Sequence, residues 1–430
     1  MTTTIDDSPS SVPLQPSMAS GSRQATNSLS LSARLDGHVP ALDGIRGVAI
    51  LFVMLFHYGT ACGFGHDAWI TRKIVGVFCN MWSGVDIFFT LSGFLITGIL
   101  LRSKNKPGFF SRFYMRRTLR IFPLYYLSLI VIFLLLPLLH LPAVDRPEVQ
   151  RVFNAQGWLW AYAEDLAITF HNDDFFDPFP LWVGHFWSLA VEEHFYLLWP
   201  VVVYLCSRRG VYFACFGLIA LGPIVRFIML AHNMDVAAVY TFTFSRTDEL
   251  AIGGLLALLA QDHSYARLSH WARWAAVGSA TYLVISVAIL RKPFYWTYTA
   301  ALGFGFTMLA IGVAALIVFA VGGSPRSLAR RVMEARWLRV FGKYSYGAYV
   351  LHTPLQPLWM TLFPPRAIGD LARSYGLIAS QLTGLLGFVT LGIGLSMLLA
   401  LVTFHSFEQP FNRLKRFWAY RTPKPASSSP

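Results

Sequence analysis

The sequence predicts an all-α fold, a polytopic membrane protein with about ten transmembrane helices. Three observations carry that reading. The chain has 430 residues, of which 55% are hydrophobic and only 13% charged, and its mean hydropathy is +0.50. A soluble domain carries about 25% charged residues, so too little polar surface is present here to coat a globule in water. Apolar runs of about twenty residues recur along the chain, the length that crosses a bilayer. Finally, the basic residues behind the net charge of +13 fall in short stretches between those runs, as in the cytoplasmic loops of membrane proteins. That placement speaks against nucleic acid as a partner and for membrane lipids.

In order, residues 1–35 are rich in Ser, Thr and Pro and lack the basic start and apolar core of a signal peptide. They read as a disordered cytoplasmic tail, as do residues 417–430, leaving 36–416 as one membrane domain. The candidate spans are about 44–64, 77–101, 121–141, 186–206, 211–231, 238–260, 273–290, 298–321, 339–361 and 376–405. The loop after the second span holds Arg102, Lys104, Lys106, Arg112, Arg116, Arg117 and Arg120, which places it in the cytoplasm. Alternation then puts Arg208 and Arg209, Arg267 and Arg273, the stretch Arg326–Arg339 and the C-terminal tail on the same side. Both termini are therefore expected in the cytoplasm.

Residues 156–170 are partly apolar but contain Glu164 and Asp165. Counting them as a span would flip every later basic loop outward. The stretch 142–185 is instead read as a long external segment with an interfacial or re-entrant helix, tipped by the aromatic and acidic residues 171–182. Cys62, Cys79, Cys206 and Cys215 show no metal or redox spacing. No internal repeat is evident, unlike the common inverted-repeat transporters.

Ionisable groups at membrane depth mark candidate functional residues. Arg46 and His57 are eleven residues apart, so His57 lies roughly 16 Å deeper on the same helix face. That spacing suits an anionic ligand running from the surface into a buried chamber. Asp86, Glu192, Glu193, Arg246, Asp248, Glu249, Tyr346 and His352 also fall at mid-depth in their spans, and the expectation is one polar chamber. Structural alternatives stand beside this reading: an intramembrane ion pair of Glu192 or Glu193 with Arg246, a His352 hydrogen-bonded between helices, and a basic loop that only sets topology. Arg117 and Arg120, one turn apart, suit a phosphate.

The stretches LDGIRGVAILFVMLFHYG (42–59), GVDIFFTLSGFLITGILL (84–101), FYMRRTLRIFPLYYL (113–127) and HFWSLAVEEHFYLLWP (185–200) resemble the acyltransferase-3 family of membrane O-acyltransferases. So do SRTDELAIGGLLALL (245–259), GKYSYGAYVLHTPL (342–355) and FEQPFNRLKR (407–416). The resemblance covers about 36–416 and implies ten spans, cytoplasmic acyl-CoA (acetyl-CoA first) as co-substrate with no bound cofactor, and a sugar hydroxyl as acceptor. It also implies a bacterial plasma-membrane location, with a carbohydrate or glycoside acceptor often at the outer face. The family's Arg-ten-residues-His motif maps onto Arg46 and His57, and its Arg-x-x-Arg motif onto Arg117 and Arg120. No hydrolase-like domain is expected after the last span.

Under this resemblance, His57 is the expected base or transient acyl carrier, oriented by Asp86 or Glu193. Arg46, Arg117 and Arg120 are expected to bind acyl-CoA. Glu192, Arg246, Asp248, Tyr346 and His352 are expected to line the acceptor chamber, and no metal is expected. Two other classes share these residues: a transporter or flippase with the same groups as relay, and a haem or quinone protein with His57 and His352 as ligands.

Overall fold

The structure, a computed structural model, describes residues 31, 37–62, 69–171, 176–290, 295–298, 300–376 and 380–419. The tails expected at 1–35 (Leu31 apart) and beyond 419, and part of the acidic tip at 172–175, lie outside the described residues. The described residues are mostly helical, with no strand among them.

Among the described residues, seven helical stretches are long and apolar enough to cross a membrane. They are α1 (Pro40–Ala61), the stretch Trp69–Ser103, which joins α2 (Trp69–Phe78) to α3 (Gly84–Ser103), and Phe109–Leu139, which begins as α4 (Phe109–Ile130). After the short helices α5 (Pro147–Asn154), α6 (Gln156–Trp160) and α7 (Glu164–His171) comes α8 (Trp187–Leu205). The next crossing stretch is α9 (Arg208–Ala231). It is followed by α10 (Val236–Thr241), α11 (Thr247–Asp262) and α12 (Tyr265–Leu290), the last of which also qualifies as a crossing helix. The stretch Ala301–Gly322 ends in α13 (Phe306–Gly322). Then come α14 (Leu328–Met333), α15 (Arg336–Leu362) and α16 (Pro365–Ser374). Finally α17 (Ser380–Thr403) runs on through α18 (Gln409–Leu414) as the seventh crossing stretch, Ser380–Trp418.

The chain is thus a multi-pass membrane protein. Three helices in expected spans are not among the seven stretches: α11, with 16 residues, is short, and α8 and α15 carry more polar residues. They are also central to the packing: α15 lies along α1 and α17, and α11 lies between α3 and α9. Close approach of α3 to α11 depends on two glycines. A Cβ on Gly93 would sit 1.9 Å from the Leu250 carbonyl oxygen, and one on Gly253 would sit 2.0 Å from that of Thr90. Small residues at such crossings let two helices in lipid pack backbone to backbone.

Two boundaries depart from expectation. The basic run taken as a loop to residue 120 is helical from Phe109, so Arg112, Arg116, Arg117 and Arg120 stand on the first turns of α4. The span expected at 238–260 is broken: α10 stops at Thr241, Phe242 is extended, and a tight turn over Thr243–Arg246 precedes α11. The break frees the Ser245 carbonyl from a helical ladder, and Arg226 of α9 donates to it. The segment 142–185, expected to lie outside, contains α5, α6 and α7, each far too short to cross a bilayer.

Candidate functional site

The start of α1, the end of α3 and the start of α4 bring Arg46, Arg102, Arg117 and Arg120 to one end of the molecule, called here the basic end. From it a cleft with about 800 Å³ of empty space, counting its mouth open to solvent, runs inward between α1, α3, α4, α8 and α15. Arg46, Arg117 and Arg120 line it together with Ser92, Glu192, Tyr196 and Tyr346, while Val85, Phe88, Phe89 and Leu189 give it an apolar lining. Asp43, one turn before Arg46, holds that guanidinium at 3.0 Å. The Arg117 guanidinium lies 5.2 Å from the Tyr196 ring centre, a cation–π distance. The Tyr196 hydroxyl donates to Glu192 at 2.8 Å and meets Ser92 at 2.5 Å. Beside this cleft, Arg116, Arg117, Arg120 and Lys415 share a second basic recess.

A further cavity of about 850 Å³ opens toward the opposite end, where α1 finishes and the segment 142–185 folds over. Its polar lining includes His57, His185, Asp177 and Thr241, and its rings include Phe56, Trp82, Trp187, Tyr240 and Trp296. The tautomer of His57 follows from its contacts. Nδ1 lies 2.8 Å from the Val53 carbonyl, which can only accept, so Nδ1 carries the proton and Nε2 keeps its lone pair. His352 stands under it with Nε2 3.3 Å from His57 Nδ1. The Nδ1–H of His352 faces the carbonyls of Ala348 and Tyr349 at 3.1 and 2.8 Å. Thr353 donates to the same His352 Nε2 at 2.8 Å, and the Gln356 amide donates to the His57 carbonyl at 2.7 Å. His57 is therefore aimed by a backbone carbonyl and a second imidazole.

The inner cleft and outer cavity have two lining residues in common, Val85 and Tyr349. The Tyr349 hydroxyl donates to the His185 carbonyl at 2.9 Å and is bonded to Ser188. Val85 of α3 and Tyr349 of α15 thus stand between the two cavities. Arg46 faces the basic cleft and His57 the outer cavity, two stations along one helix.

The remaining expected residues are distributed differently from the single chamber foreseen. Asp86, expected to orient His57, accepts from Arg246 at 3.1 Å. Arg246 also pairs with Glu249 at 2.9 Å, and its guanidinium is ringed by Phe89, Trp187, Tyr240 and Phe306. The partners of Arg246 are thus Asp86 and Glu249, in place of the Glu192 or Glu193 pairing weighed from sequence. Asp248 takes a two-pronged contact from Arg226 at 3.0 and 2.9 Å and a third bond from Thr307 at 2.5 Å. Arg226, Arg246, Asp86, Asp248 and Glu249 are all completely buried, so Arg246 and Asp248 form a scaffold behind the cavities and do not line them. Glu192 and Tyr346 line the inner cleft, and Tyr346 donates to the Ile121 carbonyl. His352 lies beneath His57, and Glu193 has one buried carboxylate oxygen without a partner. Arg226 was missed from the sequence, although a lone arginine in the apolar run GPIVRFIML (222–230) is the signal that finds such a residue.

The segment with α7 carries its own buried acids, Glu164 and Asp165. Asp165 accepts from the Thr243 hydroxyl at 2.6 Å and lies 3.7 Å from His194. Glu164 is buried with neither carboxylate oxygen partnered. Its burial, then the negative charges of Asp177 and Asp165, push its carboxyl well above the usual range.

Residues 39–405 match the family model described as an acyltransferase domain, of the acyltransferase-3 type. Among curated proteins, the chain is 28% identical over 330 residues to peptidoglycan O-acetyltransferase OatA of Listeria monocytogenes, covering 74% of this chain and 49% of that protein. It is 31% identical over 338 residues to putative peptidoglycan O-acetyltransferase YrhL of Bacillus subtilis, with 74% and 48% covered. It is 27% identical over 340 residues to O-acetyltransferase OatA of Staphylococcus aureus, with 74% and 50% covered. The chain thus spans about half the length of the curated relatives it matches. No solved structure matches it.

Proposed function

Because this chain belongs to the acyltransferase-3 family, we propose that it is a membrane O-acyltransferase that moves an acetyl group from acyl-CoA to a glycan hydroxyl. The observation that carries the reading is the pair of cavities meeting at one wall, the inner rimmed by arginines and the outer presenting His57. Arg46, Arg117 and Arg120 suit the phosphates of CoA, because guanidinium forks match phosphate oxygens. The apolar lining of the same cleft suits the thioester end. In the outer cavity, aromatic faces suit the C–H faces of a sugar ring, while Asp177 and Thr241 offer partners to its hydroxyls. Peptidoglycan is the acceptor favoured by the names of the relatives. The basic end is assigned to the cytoplasm of a bacterial plasma membrane, with both termini there.

In the proposed reaction, His57 Nε2 takes the proton of the acceptor hydroxyl as its oxygen bonds to the thioester carbon. The tetrahedral intermediate collapses, the carbon–sulfur bond breaks, and the CoA thiolate leaves with the proton from His57. The Val53 carbonyl, already bonded to His57 Nδ1–H, stabilises the imidazolium between those steps.

The test is His57→Ala in protein purified at wild-type membrane level, supplied with acetyl-CoA and a peptidoglycan fragment. Transfer is expected to fall roughly 10²–10⁴-fold with acetyl-CoA binding retained. Full transfer by the variant would overturn the mechanism.

A further inference from the structure

We infer that Val85 and Tyr349 form a ruler that sets the length of acyl chain the protein accepts, an inference that rests on the acyl-transfer reading. Both side chains face the inner cleft and the outer cavity. The cleft is cationic at its basic end, and its lining between there and the wall includes Phe88, Phe89 and Leu189. A CoA ester anchored by its phosphates therefore presents its acyl group to the wall. His57 lies on the far side, so the carbonyl carbon must come to rest at the wall for the acceptor oxygen to reach it. Whatever extends beyond the carbonyl has to fit against Val85 and Tyr349.

Neither surface is soft. Tyr349 is held through its hydroxyl by the His185 carbonyl and Ser188. Val85 is only 7% exposed, and its branched side chain has few rotamers. A fixed apolar stop of this kind discriminates by roughly 10–200-fold per methylene. It favours the shortest acyl group, in keeping with a transferred acetyl.

The experiment uses the full chain in nanodiscs with acetyl-, butyryl- and hexanoyl-CoA. Binding of each donor is measured without acceptor, and thiol release is measured with a soluble peptidoglycan fragment. Wild-type protein is expected to prefer acetyl-CoA over butyryl-CoA by at least roughly tenfold. Val85→Ala should reduce that preference at least tenfold, Tyr349→Phe should reduce it in the same direction, and Val85→Leu should increase it. Binding of free CoA, which does not reach the wall, should stay at the wild-type level in all three and shows that they are folded. An acetyl-to-butyryl ratio unchanged in Val85→Ala and Val85→Leu, with free CoA still bound, would overturn the ruler. Loss of the acyl-transfer reading gives a different pattern: no thiol release from any donor by the wild type, while the donor-binding series still reports on chain length.

Discussion

Replacing Asp248 with alanine would leave the Arg226 guanidinium buried without its carboxylate. Both groups are wholly inaccessible to solvent, and the pair is bidentate at 3.0 and 2.9 Å. Removing one partner of such a pair costs about 3–5 kcal/mol, because the other charge stays desolvated. That is a large share of a total stability of about 5–15 kcal/mol. Arg226→Met leaves Asp248 with the Thr307 hydroxyl alone and should cost a similar amount. If the two were independent, the double variant would lose about 6–10 kcal/mol. Removing both charges together instead leaves only the Gly303 and Ser245 carbonyls and the Thr307 hydroxyl to be satisfied. Arg226→Met with Asp248→Leu is therefore expected to lose about 2–4 kcal/mol. Denaturant unfolding of the detergent-solubilised protein measures all three. Additivity of the single variants within about 0.5 kcal/mol would refute the pairing, as would single variants as stable as the wild type.

Two further outcomes follow from the cavities and from Glu164 of α7. Arg117→Ala and Arg120→Ala should each raise the KM for acetyl-CoA by roughly tenfold, the loss of one charge-assisted phosphate contact, without moving the KM for the acceptor; initial-rate kinetics check both. Burial holds the Glu164 carboxyl well above its ordinary value of about 4.5, so its contribution to stability is full below that pH and is lost as pH rises through the folded value. Thermal unfolding of the wild type should therefore weaken above about pH 4.5 by up to about 1.4 kcal/mol per pH unit, and Glu164→Gln should flatten that part of the profile; an unaltered profile would count against the buried acid.

What could be read from the sequence divides along a physical line. Depth along one helix follows from residue count, so Arg46 and His57 were legible as two stations of α1, and the structure sets them at two cavities. Most spans were legible for the same reason, since twenty apolar residues have one way to cross a bilayer. Pairing between helices depends on rotation and neighbour choice, which no local pattern records. Hence Arg246 meets Asp86 and Glu249 in place of Glu192 or Glu193, and His57 is aimed by Val53 and His352 in place of a carboxylate. The break at Phe242 was equally hidden: no Gly or Pro marks it, and the freed carbonyl of Ser245 is taken by Arg226, distant in sequence. One chamber was expected because depth alone cannot show that Val85 and Tyr349 stand between two cavities.

The account turns on donor and acceptor meeting from opposite faces, and sided transfer tests that most directly. The protein is reconstituted in liposomes of known orientation, with radiolabelled acetyl-CoA confined to the basic side and a peptidoglycan fragment confined to the other. The account predicts labelled ester on the fragment across the membrane, abolished by His57→Ala and dependent on Arg117 and Arg120. Label appearing only when donor and acceptor share one compartment would contradict it.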